Sequence, residues 1–167
     1  IKNAGFDVIS VGKIYDIFAG RGLTECNRTV DNEAGMNVTI ELQKRDFHGL
    51  CFVNLVDFDM KYGHRNDVDG YAAALTAFDK RLGEFMCGMK DEDVLIISAD
   101  HGCDPGTPST DHSRERVPML IYGKNIKPGV NLRSRATYAD ISATILDILG
   151  VDKANTAGES FLCEVKK

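Results

Sequence analysis

No stretch of the chain is apolar for long enough to cross a bilayer, and its opening residues show none of the charged, apolar and small-residue pattern of a secretory leader. Membrane-spanning and exported proteins are therefore set aside, and the expected location is the cytoplasm. Basic excess is missing too: 20 Lys and Arg stand against 25 Asp and Glu, a formal net charge of −5, which leaves no electrostatic footprint for nucleic acid. Acidity does not exclude an anionic substrate, because bound divalent cations would be the largest local charges in a site and would invert its sign. The five cysteines, Cys26, Cys51, Cys87, Cys103 and Cys163, are odd in number and scattered. They lack Cys-x-x-Cys spacing, which argues for reduced thiols and against a disulfide framework. Internal repeats and low-complexity tracts are absent. So is an initiator methionine: Ile1-Lys2-Asn3-Ala4-Gly5 runs straight into a strand pattern, from which the chain is expected to be a piece of something longer.

What is present is an ordinary globular composition, 43% hydrophobic and 27% charged over 167 residues, the size of one domain with a real core. Residues 6–12 alternate and stop at Gly12, a first strand with Lys13 following at its ligand-facing end. Residues 14–19 form a short helix stopped by Gly20-Arg21-Gly22, and 23–29 read as polar loop. Asp31 or Asn32 caps a helix to about Arg45; Val38, Ile40 and Leu42 alternate as a strand would, and length decides for helix. Residues 49–56 are a nearly continuous apolar run, a strand covered on both faces. The clearest helix runs over 69–89, capped by Asp67 or Asp69, with Tyr71, Leu75, Phe78, Leu82, Phe85 or Met86, and Met89 on one face. Residues 94–98 form a third strand, 102–116 a long loop, 118–123 a fourth strand and 125–129 a turn. Thr137 with Asp140 resembles a capping box opening a helix through Leu149, with Gly150 as its stop. Residues 154–160 are expected to be irregular and Lys166-Lys167 frayed. Strands alternating with helices predict a three-layer α/β/α fold with a mostly parallel sheet.

Chemistry concentrates at strand ends. The run Ile96-Ile97-Ser98-Ala99 delivers Asp100-His101-Gly102, the run at 49–56 delivers Asp57-Phe58-Asp59, and His64 and His112 follow on loops; open α/β sheets bind ligands at that edge. Asp59, His64, Asp100, His101 and His112 supply two carboxylates and three imidazoles, a mixture suited to manganese or zinc rather than calcium. That is most of a two-metal centre, its ions about 3.5 to 4 Å apart and clamping a phosphate between them. Taken singly, each residue has a plainer role, Asp59 as a helix cap and each histidine as surface or core. The joint occurrence of Asp at two strand ends and three of four histidines in strand-end loops favours the cluster. Asp57 is a candidate partner for an imidazole N–H. Lys13 is a candidate for neutralising a phosphate oxygen, as are Arg114 and Arg116 on weaker grounds. Cys103 lacks a partner base for a nucleophilic role, Asp104 and Asp111 read as turn acids, and His48 as surface.

In order, Asn54-Leu55-Val56-Asp57-Phe58-Asp59, Tyr62-Gly63-His64-Arg65, Ser98-Ala99-Asp100-His101-Gly102, and Thr110-Asp111-His112-Ser113-Arg114-Glu115 with Val117-Pro118 resemble the core motifs of the phosphopentomutases. Residues 139–146 are similar to the late helix of the alkaline phosphatase superfamily to which those enzymes belong. The resemblance covers nearly the whole chain and implies an alkaline-phosphatase-like core with two manganese ions, zinc or magnesium being substitutes. Asp59, His64 and His112 would match the ligands of one ion, and Asp100 with His101 those of the other. It implies interconversion of the 1- and 5-phosphates of ribose or deoxyribose, in pentose phosphate and nucleotide metabolism, through a phosphorylated threonine and a sugar bisphosphate.

The same resemblance implies what residues 1–167 lack: an N-terminal core segment with the phosphorylated threonine and a further metal-binding aspartate, and a cap domain that grips the sugar. Thr24, Thr29, Thr107 and Thr110 are not preceded by the identifying motif, so the chain is expected to be the C-terminal portion of the core, inactive alone. A cofactor-independent phosphoglycerate mutase is a rival, although there the first acid and imidazole are usually one residue closer. A phosphatase or phosphodiesterase of the same superfamily, or a non-catalytic α/β metal-binding domain, are the others.

Overall fold

β1 (Asp7–Val11) is the strand on which the first half of the molecule is laid. It pairs in parallel with β2 (Glu25–Asn27) on one side and β3 (Gly49–Val53) on the other, giving the order β2-β1-β3. The computed structural model describes residues 1–153 and 156–167, so Ala154 and Asn155, the start of the expected irregular stretch, lie outside the described residues. Val8 and Ser10 on one face of β1 and Ile9 and Val11 on the other are all buried, as a central parallel strand requires. Leu42 of α2 (Asn32–Gln43) packs with Ile9 and Val11, and Val38, Phe47, Cys51 and Val53 close around them. The helical reading of Val38, Ile40 and Leu42 therefore holds, with Asp31 as cap, its side chain accepting from the Ala34 N–H at 2.8 Å. Burial in this cluster pushes the Cys51 thiol up to about 11, which keeps it inert.

The carboxyl ends of β1 and β3 leave the sheet in contact. Gly12 has φ +79°, its N–H donates to Asn27 O at 2.9 Å, and the Asn54 N–H donates to Val11 O at 3.0 Å. A side chain at Gly12 would meet the Asn54 carbonyl, so both the backbone angle and the crossing demand glycine. α1 (Ile14–Ile17) follows as one short turn.

β2 lies inside residues 23–29, expected as polar loop, and the structure corrects that expectation. Glu25-Cys26-Asn27 has no apolar alternation; it is a strand because β1 pairs with it and because Arg45 grips Glu25 through two hydrogen bonds of 2.8 Å each. α3 (Val68–Cys87) is the predicted long helix, capped by Asp67, whose carboxylate accepts from the Gly70 N–H at 2.9 Å. Tyr71, Phe78, Leu82, Phe85 and Met86 on the expected face are half-buried, whereas Leu75 is 48% exposed.

β4 (Leu95–Ser98) and β5 (Met119–Tyr122) form a second, antiparallel ladder with Leu95 opposite Tyr122 and Ser98 opposite Met119. Two of the three strand pairings are thus parallel and the expected α/β class holds. α4 (Ala139–Ile148) begins as predicted and ends before Gly150, at φ +65°. Its capping box is corrected: Asp140 does not reach back but points inward, accepting from Arg135 Nε at 2.7 Å and from the Glu159 N–H at 2.9 Å. These two partners hold its carboxyl below the usual range.

The frayed terminus is corrected too. α5 (Leu162–Val165) buries Phe161 and Val165 against Ile126, the Lys127 N–H donates to Val165 O at 2.7 Å, and the Lys167 N–H donates to Asn125 O at 3.0 Å. Among the described residues all five cysteines are free and no helix is long and apolar enough to cross a membrane.

Candidate metal centre

Beyond β3 the chain turns through a wide helical turn, Phe58–Tyr62, whose i→i+5 pattern is rare and recurs at functional sites. Two fastenings fix it. Asp57 and Asn32 exchange hydrogen bonds, the Asn32 N–H donating to the Asp57 carboxylate at 3.0 Å and the Asp57 N–H to Asn32 Oδ1 at 2.9 Å. Phe58 packs on α3, its ring centroid 5.7 Å from Tyr71 and 6.1 Å from Phe78. Between these anchors Asp59 is held inward. The next turn, Gly63–Arg65, presents His64 and closes at Asn66, whose φ of +53° is a left-handed angle that asparagine tolerates best among residues with a side chain. Gly63 is small by necessity, since a Cβ there would meet Cys103 Sγ.

The three imidazoles point one nitrogen each at Asp59. Nε2 of His64, His112 and His101 lie 3.1, 3.3 and 3.9 Å from Asp59 Oδ1. His101 and His112 are stacked at 3.6 Å between centroids, and His64 lies 4.9 Å from His112. The opposite nitrogens of two rings face backbone carbonyls, His64 Nδ1 to Thr110 O at 2.5 Å and His101 Nδ1 to Gly102 O at 3.1 Å. With Nδ1–H donating there, Nε2 keeps its lone pair for the centre, the arrangement that orients metal-ligating histidine. Asp59 Oδ1 is sealed from solvent yet makes no hydrogen bond of acceptable geometry among the described residues. An anionic oxygen so placed, faced by imidazole nitrogens and left unsatisfied, is costly unless a cation completes it. The ligand atoms of Asp59, His64 and His112 all fall within 4.8 Å of one another, so the donor set fits a divalent ion bound by one carboxylate and two imidazoles.

The other predicted residues are placed as follows. Asp100 lies at the rim, 69% exposed, with Oδ1 3.7 Å from His101 Nε2; it and His101 offer a second, more open donor pair. Lys13 sits at the carboxyl end of β1, where its ammonium donates to Met60 Sδ at 2.6 Å, one residue from Asp59. Asp57 is corrected: it touches no imidazole, because β3 ends at Val53 and the two-residue alternation that would aim 57 and 59 alike is lost. It is buried instead against Asn32, with Lys61 Nζ at 3.1 Å from its other oxygen.

Asp104 forms the expected turn, accepting from the Gly106 N–H at 2.8 Å. Arg114 is exposed, Arg116 bonds Ser134, and His48 is exposed with its ring edge-on to Phe6 at 5.0 Å. Cys103 is half-buried over Gly63, and that burial, then the charges of Asp59, Asp104 and Glu115, push its thiol above the ordinary value. Sequence reasoning missed Asn32 and Asn66, both of which fasten the site through side-chain bonds to distant backbone. Asn66 carried a local signal, an asparagine directly after a histidine turn and before a helix cap.

Comparison with known proteins agrees with this geometry. Residues 3–153 match the model of the metalloenzyme superfamily. The chain is 57% identical over its full length to a phosphopentomutase of Lachnoclostridium phytofermentans, of which it covers 43%. It is 55% identical over 98% of its length to the phosphopentomutase of Carboxydothermus hydrogenoformans, covering 42%, and 54% identical over 95% to that of Acetivibrio thermocellus, covering 40%. The chain therefore spans about two fifths of the length of these relatives. The α/β core of the alkaline-phosphatase type expected from the motifs, a carboxylate ringed by imidazoles at the strand ends and a family match over residues 3–153 lead to one assignment: the chain belongs to the metalloenzyme superfamily.

Proposed function

We propose that this chain is the metal-binding portion of a phosphopentomutase core, and that the longer protein interconverts ribose or deoxyribose 1-phosphate and 5-phosphate. The observation that carries the reading is the buried, unsatisfied Asp59 Oδ1 facing three imidazole nitrogens at 3.1 to 3.9 Å. Asp59, His64 and His112 would hold one ion, and Asp100 with His101 would contribute to a second; manganese suits this donor set, with zinc or magnesium as substitutes. Such ions supply polarisation of the phosphoryl oxygens and stabilisation of the attacking and leaving oxygens of an in-line transfer.

This chain's own residues do the positioning. The Thr110 and Gly102 carbonyls keep His64 and His101 turned with Nε2 inward. Asn32 and Phe58 hold the Asp59 turn, and Lys13 offers a point charge to a substrate phosphate from the end of β1. The phosphorylated threonine, a further acidic ligand and the cap over the sugar are assigned to the part of the relatives' length that this chain does not span, so 1–167 alone has no turnover. The relatives' activity and the donor set support a small phosphosugar as substrate, and a net charge of −5 offers no electrostatic footprint for nucleic acid.

The test is a polypeptide of the relatives' length that includes this chain, assayed by phosphorus NMR with manganese. Ribose 5-phosphate should convert to ribose 1-phosphate, and Asp59→Asn should abolish conversion. Conversion of 3-phosphoglycerate instead, or release of inorganic phosphate without transfer, would replace the reading with a sister activity of the superfamily.

A further inference from the structure

The most exposed histidine of the centre packs on one side only, stacked on His101. His112 is 50% exposed and lies in a loop without regular structure from 103 to 112. On its C-terminal side the loop is tied at Ser113, whose N–H donates to Gly102 O at 3.0 Å, with Ser113 Oγ accepting from the Asp104 N–H at 2.9 Å. Ahead of His112 the loop is tied to the His64 turn by His64 itself, through Thr110 O, and by one further side chain. Asn66 Nδ2 donates to Thr107 O and, at 3.1 Å, to Ser109 O. Both partners are carbonyls, so the amide uses both of its hydrogens and its orientation is fixed by chemistry. The backbone of the same residue closes the preceding turn, the Asn66 N–H donating to Gly63 O at 3.1 Å, and that turn carries His64. The left-handed φ of +53° is what lets one residue do both, since it swings the side chain away from its own turn and across to the loop.

We propose that Asn66 is a positioning residue for the metal centre, clamping the loop of His112 onto the turn of His64 so that the two imidazoles stand at the spacing one cation needs. The proposal rests on the metal reading above and assigns to Asn66 no contact with the ion. Without the clamp, His112 would keep its Ser113 anchor and its stack on His101 but lose the amide tie to the His64 turn, and could swing out, because water competes for a half-exposed imidazole. The carbonyl of Thr110 that orients His64 belongs to the same loop, so loosening it also frees the His64 ring.

The experiment uses the full chain and four proteins: wild type, Asn66→Gly, Asn66→Asp and His112→Ala. Glycine keeps the left-handed backbone and drops the clamp; aspartate keeps the size and turns oxygens toward two carbonyls. Three quantities are read: affinity for Mn2+ alone by calorimetry, the absorption spectrum with saturating Co2+, and amide hydrogen exchange of the metal-free protein. Both Asn66 variants should bind Mn2+ at least about 10-fold more weakly, exchange faster over 104–112 with the rest unchanged, and give a Co2+ spectrum shifted toward that of His112→Ala. A general loss of stability would speed exchange throughout and leave the Co2+ spectrum as in wild type, and that result overturns the proposal. So does wild-type affinity in Asn66→Gly while His112→Ala is weakened, which removes Asn66 and leaves the metal reading standing. Wild-type affinity in His112→Ala removes the metal reading and the proposal with it.

Discussion

Asp59 is the residue whose environment asks for something the protein alone does not supply. Its sealed oxygen faces nitrogens from three loops, and replacing the carboxylate by an amide removes the anionic donor while keeping shape. Asp59→Asn should therefore weaken Mn2+ binding by at least about 100-fold with little effect on folding; unchanged calorimetric affinity would contradict the assignment. Glu25 provides the pH dependence. The Arg45 guanidinium, then Asn27, hold its carboxyl down at about 2. A depressed carboxylate contributes stability that is full above its unfolded value, about 4.5, and is lost as pH falls toward about 2. Urea unfolding should find Glu25→Gln less stable than wild type at pH 7 by no more than about 1 kcal/mol, because the pair is half-exposed. That difference should shrink steadily below about pH 4.5; a difference that grew on acidification would refute the Arg45 pairing. Single residues were where sequence was strongest for donors and weakest for their supports. The meeting of Asp59, His64 and His112 is legible because few residue types are able to hold a metal. Asn32 and Asn66 are not, because an asparagine whose side chain bonds a backbone 25 or about 40 positions away looks like any turn residue until the chain is folded.

At the scale of elements, the site depends on how the turn after β3 is pressed onto α3. Phe58 is the contact, with Tyr71 and Phe78 on the helix. Phe58→Ala should cost about 2 to 3 kcal/mol for a half-buried ring, and should weaken Mn2+ binding as well, since Asp59 is the next residue; thermal unfolding and calorimetry check the two effects separately. The crossing of β1 and β3 gives a second expectation. Gly12→Ala would put a methyl into the Asn54 carbonyl at a left-handed angle, and should lower the unfolding midpoint by several degrees. Long elements were readable because period and caps agree, as in α3 with Asp67 and in α2 with Asp31. β2 was not, because a three-residue polar strand is created by its neighbour and by the Arg45 grip on Glu25, neither of which is local in sequence.

Across the whole molecule, the turns after β3 and β4, strands of separate ladders, bring Asp59 and His101 to within 3.9 Å of each other. The C-terminal segment was expected to fray and instead closes the core, because Phe161 and Val165 are apolar anchors hidden in a charged tail. Asp140 locks that closure through Arg135 and the Glu159 N–H. Asp140→Ala should cost about 1 to 3 kcal/mol, since it takes the acceptor from Arg135 Nε and from the Glu159 N–H while Arg135 keeps Glu164; a change within about 0.5 kcal/mol would show that the tail is held by packing alone. The chain spans only part of its relatives' length, but the convergence of Asp59, His64 and His112 is a property of this chain. Crystals soaked in Mn2+ and measured for anomalous scattering test it most directly. The account predicts a peak bonded to Asp59 Oδ1, His64 Nε2 and His112 Nε2; saturating Mn2+ with no peak there, or one elsewhere on the surface, would contradict it.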